Sequence, residues 1–524
     1  MVLAHEIRLH DFYDFFWNYE MTSSVIKSLF SGLLRGDDKR TKKDSGISSH
    51  IKSVKDSVVE NSQRDPYIFQ IGFDFGTSSS KIVIRDINKD KAWVFKHFEK
   101  DNLSSLLIPS VILFDGDTFT IHDTIHTLYP ENGLYHLKVA LEKVALNEIN
   151  AEIFHEYKNI VGKDCKYSPS ELTKMATIFF LSLWLKRVVA DITIKYPDYG
   201  EMKEDQIRVN MAIPVADICD ENVRKLFRSM LTIAWELKSE SIIEDSVKID
   251  DLNEYISILS DDGFAENELC QVYPEVSANI QAFIRSPASS PDPTTIYFFT
   301  DVGAGTVDQS VFTYAGQEER VLNYFAGNVF PHGSRSIERF ACGENIDIQK
   351  MEYWRKIKES GSENKTITAA KNKVSNKVRS DSEKTLQDTR RCLPEGHGVS
   401  KQETLREKTK FIFSGGGYTP RPYKPCLYEF SVLDSFKKNV LKNNDPIVTS
   451  MPYPEDLKLP SKCKKYISRF YVAYGLSFLF DDLAAYSSPS ENKMLIVSSG
   501  HKERCSCGGL NKNCIRCSGT GIIN

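Results

Sequence analysis

Hydrophobic and polar positions divide the chain into a polar N-terminal arm, a long patterned body and a cysteine-rich end. The body opens on "FQIGFDFGTSSSKIVIRD", residues 69–86, in which Phe69, Ile71, Phe73 and Phe75 share one strand face and Gly72 and Asp74 the other. This alternation predicts two strands joined by a turn, with the apolar face buried and Asp74 at the mouth. "QIRVNMAIPVAD" (206–217) predicts another buried strand, followed by a long helix carrying Leu226, Phe227, Met230 and Leu231. Upstream, "YSPSELTKM" carries the marks of a helix start: Ser168 as N-cap, Pro169 in the first helical position, and Glu171 closing a capping box. The apolar run "ATIFFLSLWL" (176–185) falls inside that helix, about half the length of a membrane-spanning segment.

Outside the body the pattern changes. Residues 1–34 combine the aromatic, acidic "HDFYDFFWNYE" with "MTSSVIKSLFSGLL", where Ile26, Leu29, Phe30, Leu33 and Leu34 fall on one helical face. Such a helix docks on its own body or, alternatively, on a partner or a membrane surface. Residues 35–66 are polar and predict a linker. The body divides at about residue 290 into two halves, 67–290 and 291–490. Within the second, residues 351–410 hold 15 Lys or Arg against 9 Asp or Glu. A solvated helical subdomain accounts for this; a nucleic-acid surface is the alternative.

Composition narrows the class. With 524 residues, 41% hydrophobic and 26% charged, the chain is neither disordered nor a single small domain. A net charge of -4 gives no global attraction to nucleic acid or anionic lipid. No secretory signal pattern opens the sequence, and the eleven cysteines lack the spacing of a disulfide framework. The expectation is a cytoplasmic protein.

The first hairpin offers particular chemistry. Gly76 lets the backbone approach a ligand, Thr77, Ser78 and Ser79 present hydroxyl and amide donors, and Asp74 can hold hydrated magnesium. "DVGAGTVDQSVF" at 301 repeats the pattern: Asp301 after an apolar strand, Gly303 and Gly305 in the turn, then Thr306 and Asp308. "FIFSGGGYTP" (411–420) runs a strand into Gly415, Gly416 and Gly417, a shelf suited to a nucleoside. Any one of these reads equally well as a structural turn. Three in order, each behind an apolar strand, read as a phosphate site built from two facing, duplicated lobes. No Walker A motif occurs.

In this order the motifs resemble the actin, sugar-kinase and heat-shock protein 70 superfamily, over roughly residues 67 to 485. "VNMAIPVAD", "YPEVSANI", "TAAKNKVS" and "YVAYGLSFLF" are most similar to segments of the heat-shock protein 70 ATPase domain. The resemblance implies an α/β, actin-like ATPase fold around a cleft for ATP and Mg2+. It implies that Asp74, Thr77 and Ser78 hold magnesium and the outer phosphates, with Asp301 and Thr306 acting from the other lobe. Glu275 would fix the metal's water shell, Asp308 would orient the attacking water, and Lys138 would touch the γ-phosphate. For Glu275 and Lys138 an ordinary surface charge remains the alternative. Lys371 and Ser375 would hold the adenosine over Gly415, Gly416 and Gly417. Three positions depart from the pattern: Ala304 for glycine, Tyr418 for serine and Thr368 for glutamate, which predicts slow hydrolysis or binding with little turnover. Too few residues follow Gly417 for the chaperones' peptide-binding domain, so a standard foldase is not expected.

The segment 491–524 closes with "CSCGGLNKNCIRCSGTGIIN". Cys505, Cys507, Cys514 and Cys517 form two pairs suited to a structural zinc knuckle; a disulfide or metal-free tail is the alternative. "CIRCSGTG" resembles one copy of the J-protein co-chaperone repeat. The combined expectation is an ATPase switch that engages a protein partner, or less directly nucleic acid, through the knuckle or the N-terminal helix. A small-molecule kinase of the sugar-kinase type and an actin-like filament former are the alternatives.

Overall fold

The computed structural model describes residues 64–487, apart from 123–129, 131, 163–164, 215–219, 262–266, 287–288, 290–291, 316–319, 345–347, 362–363, 394–399, 418–425 and 442–444. The expected N-terminal helix, nearly all of the linker, Tyr418 and the four-cysteine cluster lie outside the described residues.

In chain order the strands are β1 (Ile68–Asp74), β2 (Ser79–Asp86), β3 (Lys91–Val94), β4 (Ile108–Pro109), β5 (Val111–Asp115), β6 (Thr118–Ile121), β7 (Gly133–Tyr135), β8 (Gln206–Ile213), β9 (Ser246–Lys248), β10 (Cys270–Pro274), β11 (Asp292–Val302), β12 (Val307–Ala315), β13 (Val321–Phe330), β14 (Thr409–Ser414), β15 (Ile447–Val448), β16 (Leu457–Lys458) and β17 (Ala485–Ser487). One sheet runs β10-β8-β1-β2-β3-β16, with β4 added on β2; another runs β15-β14-β11-β12-β13-β17. β7-β5-β6-β9 form a small third sheet.

The two large sheets repeat one pattern. β10, β8 and β1 are parallel, as are β15, β14 and β11. β1-β2-β3 and β11-β12-β13 are antiparallel meanders. Even the last strand is parallel to its neighbour in both, β16 on β3 and β17 on β13. The similarity between residues 74–84 and 301–312 is thus the sequence trace of a six-strand repeat.

Helix Pro169–Lys195 begins as expected, with Ser168 and Glu171 exchanging both capping-box bonds and Pro169 in the first turn. Its long apolar stretch is buried on nearly every side, packed against helices Leu137–Ala145 and Glu221–Leu237, and so lacks a polar stripe. No described helix is long and apolar enough to cross a membrane. The charged stretch 351–410 is helical, as Ile348–Ser360, Lys365–Cys392 and Lys401–Lys408.

One expectation changes in β1. Alternation predicts a single buried face, but β1 lies centrally between β8 and β2, and both faces are covered. The Gly72 face receives helix Tyr471–Leu476 so closely that a Cβ would lie 2.0 Å from the Ala473 carbonyl oxygen. The glycine permits that approach and commits the helix to the sheet that carries Asp74.

Candidate functional site

Both hairpin turns open onto one cleft. In the first, Asp74 ends β1 and Lys81 stands directly opposite it on β2. The Lys81 amine donates to Asp74 Oδ2 at 2.9 Å, while Asp74 Oδ1 is buried without a partner. Gly76, Thr77, Ser78 and Ser79 form the cleft wall between them.

In the second turn the opposed residues are Asp301 and Asp308. Both are buried, and each has an Oδ1 with no hydrogen-bond partner. Gly303 N–H donates to the Thr306 carbonyl at 2.9 Å and closes the turn. Gly303, Ala304 and Thr306 line the cleft, while Gly305 sits where a Cβ would touch Thr77 at 3.4 Å. Residues 333–335 brace the turn: Gly333, Ser334 and Arg335 donate backbone N–H groups to Gly305, Gly303 and Ala304.

Glu275 enters as the first residue of helix Glu275–Asn279, directly after β10, and Lys138 from the first turn of helix Leu137–Ala145. The two form a close ion pair in the cleft. Oxygens of Glu275, Asp301 and Asp308 lie within 4.8 Å of one another. Gly415, at a φ of +94°, bends the chain after β14 where a Cβ would come within 2.5 Å of Asp301 Oδ1. Gly416 continues the lining.

Electrostatics follow from this crowding. Burial, then Glu275 and Asp74, push the Asp301 carboxyl up to about 7. Burial, Glu275 and Asp301 push Asp308 well above the carboxylate range. Burial alone would lower the Lys138 amine, but Glu275 and Asp74 outweigh it and hold the amine above its ordinary value. Three buried carboxylate oxygens without partners are costly unless a positive group meets them. Hard oxygen donors of this kind suit magnesium, and the residues present fit that ion.

The structure separates four expected residues from this lining. Gly305 and Gly417 lie just behind it, with Gly417 N–H donating to the Val302 carbonyl at 2.8 Å. Lys371 and Ser375 lie on helix Lys365–Cys392, outside the lining; the Ser375 hydroxyl is bonded to Ser431 at 2.7 Å. In this conformation neither faces the cavity.

Other residues reach the site without having been read from sequence. Lys81 had a usable signal: a two-strand ladder with Asp74 at its end places the residue seven positions on directly across from it. Arg335 donates to Ser78 Oγ at 3.2 Å and to the His136 ring, while burial pulls its guanidinium down to about 9. Arg469 lines the cleft beside Gly416. The last two come from distant segments and carried no local signal.

No protein-family model matches the chain, and no curated protein matches it. Among solved structures 219 chains match. One, described as "pCBH ParM non-polymerisable quadruple mutant", is similar over 79% of this chain and 100% of its own, at 12% identity and a TM-score of 0.39. A likeness of that strength carries no functional conclusion.

Proposed function

We propose that this chain is an ATP-binding protein of actin-like architecture that hydrolyses ATP with magnesium, slowly, and uses the bound nucleotide as a conformational switch. The observation that carries the reading is the cluster of partnerless carboxylate oxygens on Asp74, Asp301 and Asp308, between two hydroxyl-bearing turns. A cleft so acidic binds a polyanion only together with a cation, which is the form in which ATP travels.

Asp74 and Asp301 would hold the magnesium through its waters, with Glu275 beside them; the ion would supply neutralisation of charge on the outer phosphates. The first turn's backbone N–H groups and hydroxyls would bind phosphate oxygens. Lys138, charged and anchored by Glu275, would stand against the terminal phosphate. Asp308, across the second turn from Asp301, would orient the attacking water. Positioning and charge stabilisation carry the chemistry.

The heat-shock-70-like reading adds an output: cleft closure passed to a protein partner through the four-cysteine tail or the N-terminal helix. It rests on sequence resemblance alone, and metal analysis of intact protein tests the tail, with one zinc per chain expected and lost on Cys514→Ser. For the cleft, ATP turnover is measured with and without small alcohols. Phosphate release to water alone supports the ATPase; strict dependence on an alcohol replaces it with a kinase; no nucleotide uptake removes both.

A further inference from the structure

The cations of the cleft are not equivalent. Lys81 is held by Asp74 and Lys138 by Glu275. Arg469, which ends the 3-10 helix Ser461–Arg469, has no carboxylate within ion-pair reach among the described residues. Its guanidinium donates from Nη2 to the Gly416 carbonyl at 3.2 Å. The side chain runs along the glycine shelf: a Cβ on Gly416 would lie 3.5 to 3.6 Å from its Cγ, Cζ and Nε. Burial lowers its pKa, and Glu359, which answers to Arg355, offsets this only in part.

A half-buried cation without a counter-ion is unfavourable, and the fork geometry of guanidinium suits phosphate oxygens. The shelf it borders begins at Gly415, beside the Asp301 carboxylate, and Arg469 lines the same cleft as both hairpin turns. We propose that Arg469 is a further anion-binding residue of the cleft, pairing with the phosphate chain of a nucleoside di- or triphosphate alongside Lys138 and the first turn. The inference deepens the nucleotide reading and rests on it. It also assigns a selectivity: the cleft discriminates nucleotides with a phosphate chain from bare nucleosides.

The test is titration calorimetry of the full chain with Mg-ADP, adenosine and magnesium pyrophosphate. Arg469→Gln is expected to weaken Mg-ADP and pyrophosphate by on the order of tenfold to a hundredfold, with adenosine uptake little changed and Arg469→Lys recovering part of the loss. A side chain that merely braced Gly416 would not produce that split. Wild-type affinities in Arg469→Gln overturn the inference and leave the nucleotide reading standing. A wild-type chain that takes up pyrophosphate through Arg469 but no nucleotide keeps the anion site and removes the nucleotide reading. Uptake of neither removes both. Should Arg469→Gln not fold, Arg469→Lys takes its place, with a smaller loss of about threefold to tenfold for both phosphate probes; no loss overturns the proposal.

Discussion

The two hairpin turns hold the same place in two sheets of the same strand order, yet they are charged in opposite ways. Facing Asp74 across its ladder is Lys81; facing Asp301 across the equivalent ladder is Asp308. The first turn carries its own counter-charge. The second sets two carboxylates against each other in a buried position, which is unfavourable unless positive charge arrives from elsewhere. Lys138 supplies some of it, from a different part of the chain. One half of a repeated scaffold therefore carries a counter-charge on its own ladder, and the other takes part of its counter-charge from Lys138, elsewhere in the chain.

Charge removal should separate the two turns most sharply. Lys138→Met strips the counter-charge from Glu275 and from the second turn, and should lower stability by about 3–5 kcal/mol, read as an earlier urea midpoint at unchanged slope. Lys81→Met should cost less, because that lysine is 15% exposed and water takes over part of its role. Equal losses would erase the proposed difference.

Next in size is catalysis. Asp301→Asn should cut ATP turnover on the order of a hundredfold to a thousandfold while nucleotide affinity changes far less. Unchanged turnover withdraws the catalytic assignment of the second turn.

The same substitution sharpens the electrostatic contrast without any ligand. In the fold the Asp301 carboxyl holds its proton up to about 7, against 3.8 ordinarily. Unfolding then releases protons between those values, so this group makes magnesium-free stability fall as pH rises from about 4 to about 7, and level off above. Asp301→Asn should remove this group's share of that decline, leaving the share of Asp308, and gain up to about 4 kcal/mol on the parent at pH 8. Magnesium should narrow the gap. A variant with the parent's pH profile contradicts the crowding of charge described above.

The smallest effect compares equivalent glycines. A Cβ on Gly76 would meet the Ser79 carbonyl oxygen at 2.3 Å, whereas one on Gly303 would stand 3.2 Å from that of Thr306. Gly76→Ala should destabilise by about 1–3 kcal/mol and Gly303→Ala by less than about 1, measured by thermal unfolding. The reverse order would mean that the second turn is the tighter.

Local rules recovered the elements where one signal was enough. Alternation located β1, β2 and β8; Ser168, Pro169 and Glu171 located the start of the central helix; spaced Asp-x-Gly turns located both halves of the cleft. Lys371 and Ser375 show the limit: a stretch that resembles a nucleoside-facing helix is helical here, but Ser375 bonds to Ser431 on a neighbouring helix and neither residue is in the cleft lining. Helical period states which residues share a face, not what that face meets.

The sequence by itself therefore determined strands such as β1, β2 and β8, the Ser168 cap, the two acidic turns and the supply of hydroxyls around them, because each depends on neighbours a few positions away. Only the tertiary structure decided that Lys138 meets Glu275 across 137 residues, that Arg469 lies against Gly416, and that Asp301 and Asp308 share one small volume with Glu275. Those outcomes depend on how two sheets and the segments between them pack, and the field at a buried charge is the sum over whatever that packing brings near.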